Sequence, residues 1–75
     1  MSDAATHAEK LVSMANQIAQ FFKSQPHDEA VASIMDHLRS FWTPKMRRQI
    51  AEYLAAGGQS FDPLTKEAVA RLTDI

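Results

Sequence analysis

The chain has 75 residues, enough for one small domain that buries only roughly 60% of the surface exposed by the unfolded chain. Eight Lys and Arg residues against nine Asp and Glu give a net charge of −1, which disfavours nonspecific binding to nucleic acid or acidic membranes. The chain has no cysteine, which excludes disulfides, thiolate metal sites and a cysteine nucleophile.

Two amphipathic helices are predicted in the first half of the chain. The first begins near Thr6, because Thr6 and Glu9 have the spacing of a capping box, and it ends before Pro26. The second runs from about Asp28, a candidate N-cap, to Phe41. The apolar residues that recur at helical spacing are Leu11, Met14, Ala15, Ile18 and Phe22 in the first helix, and Val31, Ile34, Met35, Leu38 and Trp42 in the second.

Two further helices are predicted in the second half, each beginning at a capping residue followed by proline. Thr43-Pro44 starts the third helix, which Gly57-Gly58 stops, and Asp62-Pro63 starts the fourth. Their apolar residues are Met46, Ile50, Tyr53 and Leu54 in the third helix, and Leu64, Ala68, Leu72 and Ile75 in the fourth.

The sequence therefore predicts an all-α fold, a small bundle of about four short helices that forms a single domain over residues 1–75. No segment alternates between apolar and polar residues as a half-buried strand would. We expect residues 1–10 to be a flexible N-terminal segment. No apolar run is long enough to span a membrane and no secretory segment is evident, so the chain is expected to be soluble and cytoplasmic.

The residue types that usually carry catalysis or bind metals do not form recognisable motifs. His7, His27 and His37 include no pair four residues apart, and no Glu-x-x-His sequence occurs. Gly57-Gly58 lacks the preceding strand and the following Lys-Ser/Thr of a phosphate loop. The sequence predicts no catalytic, cofactor-binding or metal-ligating residue in this chain.

Two pairs of adjacent aromatic residues, Phe21-Phe22 and Phe41-Trp42, are more informative. Adjacent residues lie about 100° apart around a helix, so both rings of a pair cannot enter the same part of a small core. Phe21 and Phe41 lie at the edges of their stripes. Either a wide apolar arc packs against two neighbouring helices, or these edge residues, with Trp42, form an exposed patch that buries against another protein.

Half of the basic residues lie within one stretch of ten, at Arg39, Lys45, Arg47 and Arg48. A solvated helix face is the ordinary interpretation of such a stretch. An ion-paired contact with an acidic protein surface is a second interpretation, and a helix-turn-helix contact with DNA is a third.

Four segments resemble a known family. They are VSMANQIAQFF at residues 12–22, HLRSFWTPKMR at 37–47, YLAAGG at 53–58 and DPLTKEAVARL at 62–72. Together they make the chain similar to the delta subunit of NAD-dependent formate dehydrogenase over residues 11–72.

This resemblance implies a non-catalytic accessory subunit of a cytoplasmic molybdenum or tungsten enzyme. In such a complex the catalytic alpha subunit carries bis-molybdopterin guanine dinucleotide and most Fe-S clusters, while the beta and gamma subunits complete a complex that also uses FMN and NAD. The delta subunit would hold none of these cofactors. Its role would be to bind the catalytic subunit and to support assembly, stability or cofactor maturation.

The resemblance and the aromatic pairs together suggest a partner interface. Its predicted residues are Phe21, Phe41, Trp42, Met46, Arg47 and Arg48, with the apolar residues buried against the catalytic subunit and the arginines at the rim. A homodimer of the isolated chain is a further possibility. The alternative function is a small helical module that binds DNA or regulates another protein.

Overall fold

Four α-helices make up the fold in the computed structural model, which describes the backbone of residues 3–57 and 60–73. The helices are α1 (Asp3–Phe22), α2 (His27–Phe41), α3 (Pro44–Ala55) and α4 (Pro63–Thr73). These described residues contain no strand, and the predicted all-α bundle of four short helices is confirmed.

The starts of α3 and α4 are as predicted. The hydroxyl of Thr43 accepts a hydrogen bond from the N–H of Met46 at 3.1 Å, and Pro44 takes the first helical position. The carboxylate of Asp62 accepts one from the N–H of Leu64 at 3.2 Å. Both caps satisfy a backbone donor that the first turn of a helix leaves unpaired.

The starts of α1 and α2 differ from prediction. Helix α1 already begins at Asp3, so Thr6 lies inside the helix and is not its N-cap. The N-cap of α2 is Pro26, whose extended backbone leads into the helix without a side-chain cap. Because the helix starts at His27, Asp28 belongs to the first turn, where its charge still favours the positive end of the helix dipole.

The core takes side chains from all four helices, and α2 contributes Val31, Ile34 and Leu38 to it. This helix packs most extensively against α4 and also packs against α1. Ile34 and Leu38 of α2 are completely buried, as are Ile50 of α3 and Val69 of α4. Further buried apolar residues are Leu11, Val12, Ala15, Ala19, Val31, Trp42 and Ala68. Ile75, predicted as the end of the α4 stripe, lies outside the described residues.

Polar contacts fix the start of α4 against α1. The side-chain amide of Asn16 donates to the carbonyl of Ser60 at 2.8 Å, and its oxygen accepts from the N–H of Asp62 at 3.0 Å. The buried hydroxyl of Thr65 donates to the carbonyl of Ala15 in a long hydrogen bond of 3.5 Å. We call Asn16, Ser60, Asp62 and Thr65, with the carbonyl of Ala15, the α1–α4 junction.

A surface ion-pair network also joins α4 to α2. Nε2 of His27 lies 2.7 Å from one carboxylate oxygen of Glu67, and the guanidinium of Arg71 lies 2.7 Å from the other. All three side chains remain partly accessible to solvent, so the network is expected to contribute little to stability.

The segment between α3 and α4 turns through backbone conformations with positive φ. Gly57 has φ of +120°, which agrees with its predicted role in stopping α3, while Gly58 lies outside the described residues. Ser60 has φ of +69°, an uncommon conformation for a residue with a side chain. The hydrogen bond from Asn16 to the Ser60 carbonyl holds this turn against α1.

Candidate functional site

Two phenylalanine rings stand exposed on the helices α1 and α2. Phe21 is 79% exposed and Phe41 is 73% exposed, although both belong to the adjacent aromatic pairs identified in the sequence. The rings of Phe21 and Phe22 make an edge contact with their centroids 5.2 Å apart. The centroid of the Phe41 ring lies 4.7 Å from that of the His37 ring. Each exposed ring is thus held against a neighbouring ring of its own helix.

The helical geometry explains why one ring of each pair is exposed. Phe22 is partly buried and packs against the core. Phe21, the residue before it, therefore lies about 100° further around the helix and faces away from the core. Trp42 follows the last residue of α2, and its backbone N–H donates to the carbonyl of Leu38. The backbone becomes extended at Trp42 and its ring enters the core, while Phe41 faces outward.

An apolar cleft runs between α1 and α2 beside these rings. Its volume is about 380 Å³, and we call it the α1–α2 cleft. A shallower depression of about 280 Å³ adjoins it, because Phe22 and His37 line both. The cleft is lined by Met14, Gln17, Ile18, Phe21, Phe22, His37 and Trp42, and the depression by Phe22, Ser33, Asp36, His37, Ser40 and Phe41.

The six predicted interface residues lie in different environments. Phe21, Phe41 and Arg48 are exposed, whereas Met46 and Arg47 are partly buried. Trp42 is only 6% exposed, which agrees with its place in the predicted α2 stripe and not with the alternative that made its ring part of an exposed patch. Its side chain packs in the core, and Trp42 also lines the α1–α2 cleft. Whether any of the six contacts a partner stays a prediction.

Five of the seven residues that line the cleft were absent from the predicted interface: Met14, Gln17, Ile18, Phe22 and His37. Met14 is 44% exposed and lines the cleft next to Phe21. His37 supports the ring of Phe41. The sequence contained a signal for Met14, because residues 14 and 21 are seven apart and so share one helix face. It contained no such signal for the cleft itself, which depends on how α1 crosses α2.

The basic residues near the α2–α3 turn have no acidic partner among the described residues. Both ion pairs of the described residues involve Glu67, which pairs with His27 and Arg71, and Arg39, Lys45 and Arg48 are exposed. Arg47 is partly buried along the α3 stripe, and its Nε atom is enclosed without a hydrogen-bond partner. The charges of Arg39, Lys45 and Arg48 are therefore available for contacts outside the chain.

A second, more polar groove lies between α1 and the α3–α4 segment, with a volume of about 480 Å³. It is lined by Glu9, Val12, Ser13, Asn16, Gln17, Gln20, Tyr53 and Ser60. Amide and hydroxyl groups dominate this lining, and no histidine or second carboxylate accompanies Glu9 there. The groove offers hydrogen bonds but no pairing of a nucleophile with a base.

The three histidines lie in different parts of the fold and have different surroundings. His27 contacts Glu67, His37 packs against Phe41, and His7 is exposed on α1. Within residues 3–57 and 60–73, no group of three or more His, Asp or Glu side chains is placed to hold a metal ion. No helix in that part of the chain is both long and apolar enough to cross a membrane.

Comparison with protein families gives one match. A family model described as NADH-dependent formate dehydrogenase delta subunit FdsD matches residues 10–69 of the 75-residue chain. No curated protein and no solved structure matches the chain. The matched range includes most of α1, all of α2 and α3, the first part of α4, and every residue that lines the α1–α2 cleft.

Proposed function

Because the chain belongs to the delta-subunit family of NADH-dependent formate dehydrogenases, we propose that it is a non-catalytic accessory subunit of such a cytoplasmic complex. It binds the large catalytic subunit and supports assembly, stability or cofactor maturation. The observation that carries this proposal is the exposure of Phe21 and Phe41 beside an apolar cleft. Exposed aromatic rings around a groove are typical of surfaces that bury against another protein.

The chain's own residues do not suit the cofactors of a formate dehydrogenase. Iron-sulfur clusters are ordinarily held by cysteine thiolates, and the sequence has none. The acidic and histidine side chains of the described residues form no metal-binding group. Bis-molybdopterin guanine dinucleotide with molybdenum or tungsten, the Fe-S clusters, FMN and NAD therefore belong to the other subunits in this proposal.

The proposed interface revises the six residues suggested by the sequence. Phe21 and Phe41 make direct apolar contacts, and Met46, Arg47 and Arg48 lie towards its α3 side. Trp42 contributes indirectly, because its almost completely buried side chain lines the cleft from the core side. Because the chain would bind the folded catalytic subunit and not the unfolded one, its binding would stabilise the folded form by mass action.

Reconstitution tests the proposed function. The full chain, carrying an affinity tag, is co-expressed with the catalytic, beta and gamma subunits of a formate dehydrogenase, and a parallel preparation omits the chain. We expect the chain to elute with the catalytic subunit, and the complex that contains it to unfold at a higher temperature or to assemble in greater yield. If the subunits assemble equally well and never retain the chain, the proposal is wrong.

The stage at which the chain acts can be separated in the same system. Retention by the catalytic subunit before cofactor insertion, but not after it, would indicate a maturation role. Retention by the loaded enzyme would indicate a constituent subunit. Duplex DNA at low salt is the control for the alternative function, and tight, salt-sensitive binding to it would favour that alternative.

A further inference from the structure

We propose that the α1–α2 cleft binds an amphipathic helix of the catalytic subunit, and that this helix carries Asp or Glu residues along the edge that faces α3. The inference rests on the proposed function and specifies the chemistry of the partner segment. It follows from three features of the surface: its projecting rings, the secondary structure that borders it, and its unpaired positive charge.

The projecting rings favour a protein partner over a small molecule. A small ligand is usually enclosed by its pocket, whereas Phe21 at the cleft and Phe41 at the adjoining depression keep most of their surface in solvent. Such rings are covered only when a partner supplies complementary pockets. Met14, Ile18 and Phe22 line the cleft beside Phe21 and offer apolar surface to the partner's own side chains.

The surrounding secondary structure favours a helix. The described residues contain no strand, so they present no sheet edge to which an extended segment could add. The cleft is a groove between two helices, and a groove of this kind accepts the ridge of side chains on a third helix. Apolar residues spaced three and four apart on the partner would pack into the cleft.

The unpaired charge favours an acidic partner. The stretch from His37 to Ala51 contains four basic residues and no acidic residue. Lys45 follows Trp42 by three residues, which places their Cα atoms within about 11 Å of each other. Arg48 lies one helical turn beyond Lys45, and both side chains are exposed without an ion-pair partner.

The same charges give the bound helix an orientation. Asp36 lines the shallower depression on the side of Phe41 and would repel a carboxylate there. Lys45 and Arg48 lie on α3, beyond Trp42. The acidic edge of the bound helix is therefore placed towards α3 and away from Asp36.

Photo-crosslinking in the complex tests this assignment. p-Benzoylphenylalanine replaces Met14 in the full chain, which is co-expressed with the formate dehydrogenase subunits, irradiated and analysed by mass spectrometry. The matched control carries the same residue in place of Lys66, which is exposed on α4. We expect the Met14 position alone to crosslink to a catalytic-subunit segment with apolar residues at helical spacing and flanking acidic residues.

Other crosslinks would overturn the inference. A crosslink to a second copy of this chain would indicate self-association through the cleft. A crosslink to a basic segment or to an extended strand would contradict the proposed chemistry. The absence of any crosslink from Met14 would also overturn it if the unmodified chain still co-purifies with the catalytic subunit, and in that case the proposed function would stand.

Charge reversal provides an independent measurement. Arg48→Glu and Lys66→Glu each change the charge by two units at an exposed helix position. We expect Arg48→Glu to weaken binding to the catalytic subunit about tenfold or more and to reduce its dependence on salt, while Lys66→Glu leaves both unchanged. Equal effects of the two variants would contradict an acidic partner beside α3, provided that circular dichroism shows both to be folded.

Discussion

The α1–α4 junction and the α1–α2 cleft lie on the same helix, α1, yet their surfaces are completed in different ways. At the junction, Asn16 uses both ends of its amide on the start of α4, and the Thr65 hydroxyl is buried against α1. At the cleft, Phe21 and Met14 remain exposed. The chain covers the first region with its own fourth helix and leaves the second uncovered.

The cause of the difference is the position of α2. The apolar residues of α1 and α2 have the same spacing, twenty residues apart, but Met14 is exposed where the matching Ile34 is fully buried. Helix α2 is covered by both α1 and α4, whereas the cleft side of α1 meets α2 alone. Equal sequence patterns therefore lead to unequal burial when the matching faces of two helices meet different neighbours.

Trp42 offers the strongest test of the comparison because it belongs to the core and also lines the cleft. Trp42→Ala should lower the free energy of unfolding by about 3–5 kcal/mol, since it leaves a large cavity. Circular dichroism during urea unfolding measures the change. Trp42→Phe retains a ring and should cost clearly less, and a stable, well-folded Trp42→Ala variant would show that the ring is not needed for the core.

Asn16→Ala tests the junction. The substitution leaves the N–H of Asp62 and the carbonyl of Ser60 without their partner, so it should lower the free energy of unfolding by about 1–3 kcal/mol. The fluorescence of the single tryptophan follows the unfolding. Gln17→Ala, at the exposed neighbouring position, is the control, and equal losses in the two variants would contradict the junction's role.

Glu67→Gln tests the surface network between α2 and α4. It removes the charge that His27 and Arg71 share, and we expect a loss of about 0.2–1 kcal/mol because all three groups are partly solvated. The difference should shrink at high salt, where surface charges are screened. A loss as large as that of Asn16→Ala would mean that α4 is held mainly by charge.

The double substitution Phe21→Ser and Phe41→Ser should have the smallest effect on folding. Because both rings are mostly in solvent, we expect the free energy of unfolding to change by about 0.5 kcal/mol or less. The same variant should lose binding to the catalytic subunit, since exposed aromatic residues are frequent hot spots. Leu38→Ala, at a fully buried position, is the destabilising reference, and similar losses of stability would show that the rings serve the fold.

The sequence predicted the local features of the fold well where a short-range rule applies. Thr43 and Asp62 cap their helices, and one ring of each aromatic pair faces outward. The start of α1 and the capping role of Asp28 were predicted wrongly. In both cases the backbone entered the helix earlier than the candidate cap, which capping residues alone do not reveal.

The candidate site was predicted only in part. Phe21 and Phe41 followed from helical angles, and Trp42 belonged to the predicted α2 stripe, but the sequence left open whether its ring joins the core or an exposed patch. Thr65 and Val69 were also missed as buried residues of α4. A polar hydroxyl gives no apolar signal, and its burial depends on the carbonyl of Ala15 that it meets across the core.

The sequence by itself determined the helical class, two of the four caps and the lack of cysteine chemistry, because these depend on residue identity and on contacts within a few positions. It also determined the resemblance that the family match confirms. Only the tertiary structure decided that α2 packs against both α1 and α4, that α4 covers the α1–α4 junction, and that the α1–α2 cleft stays open. These outcomes depend on how helices distant in sequence cross and compete for the same apolar faces, which the spacing along one helix does not specify.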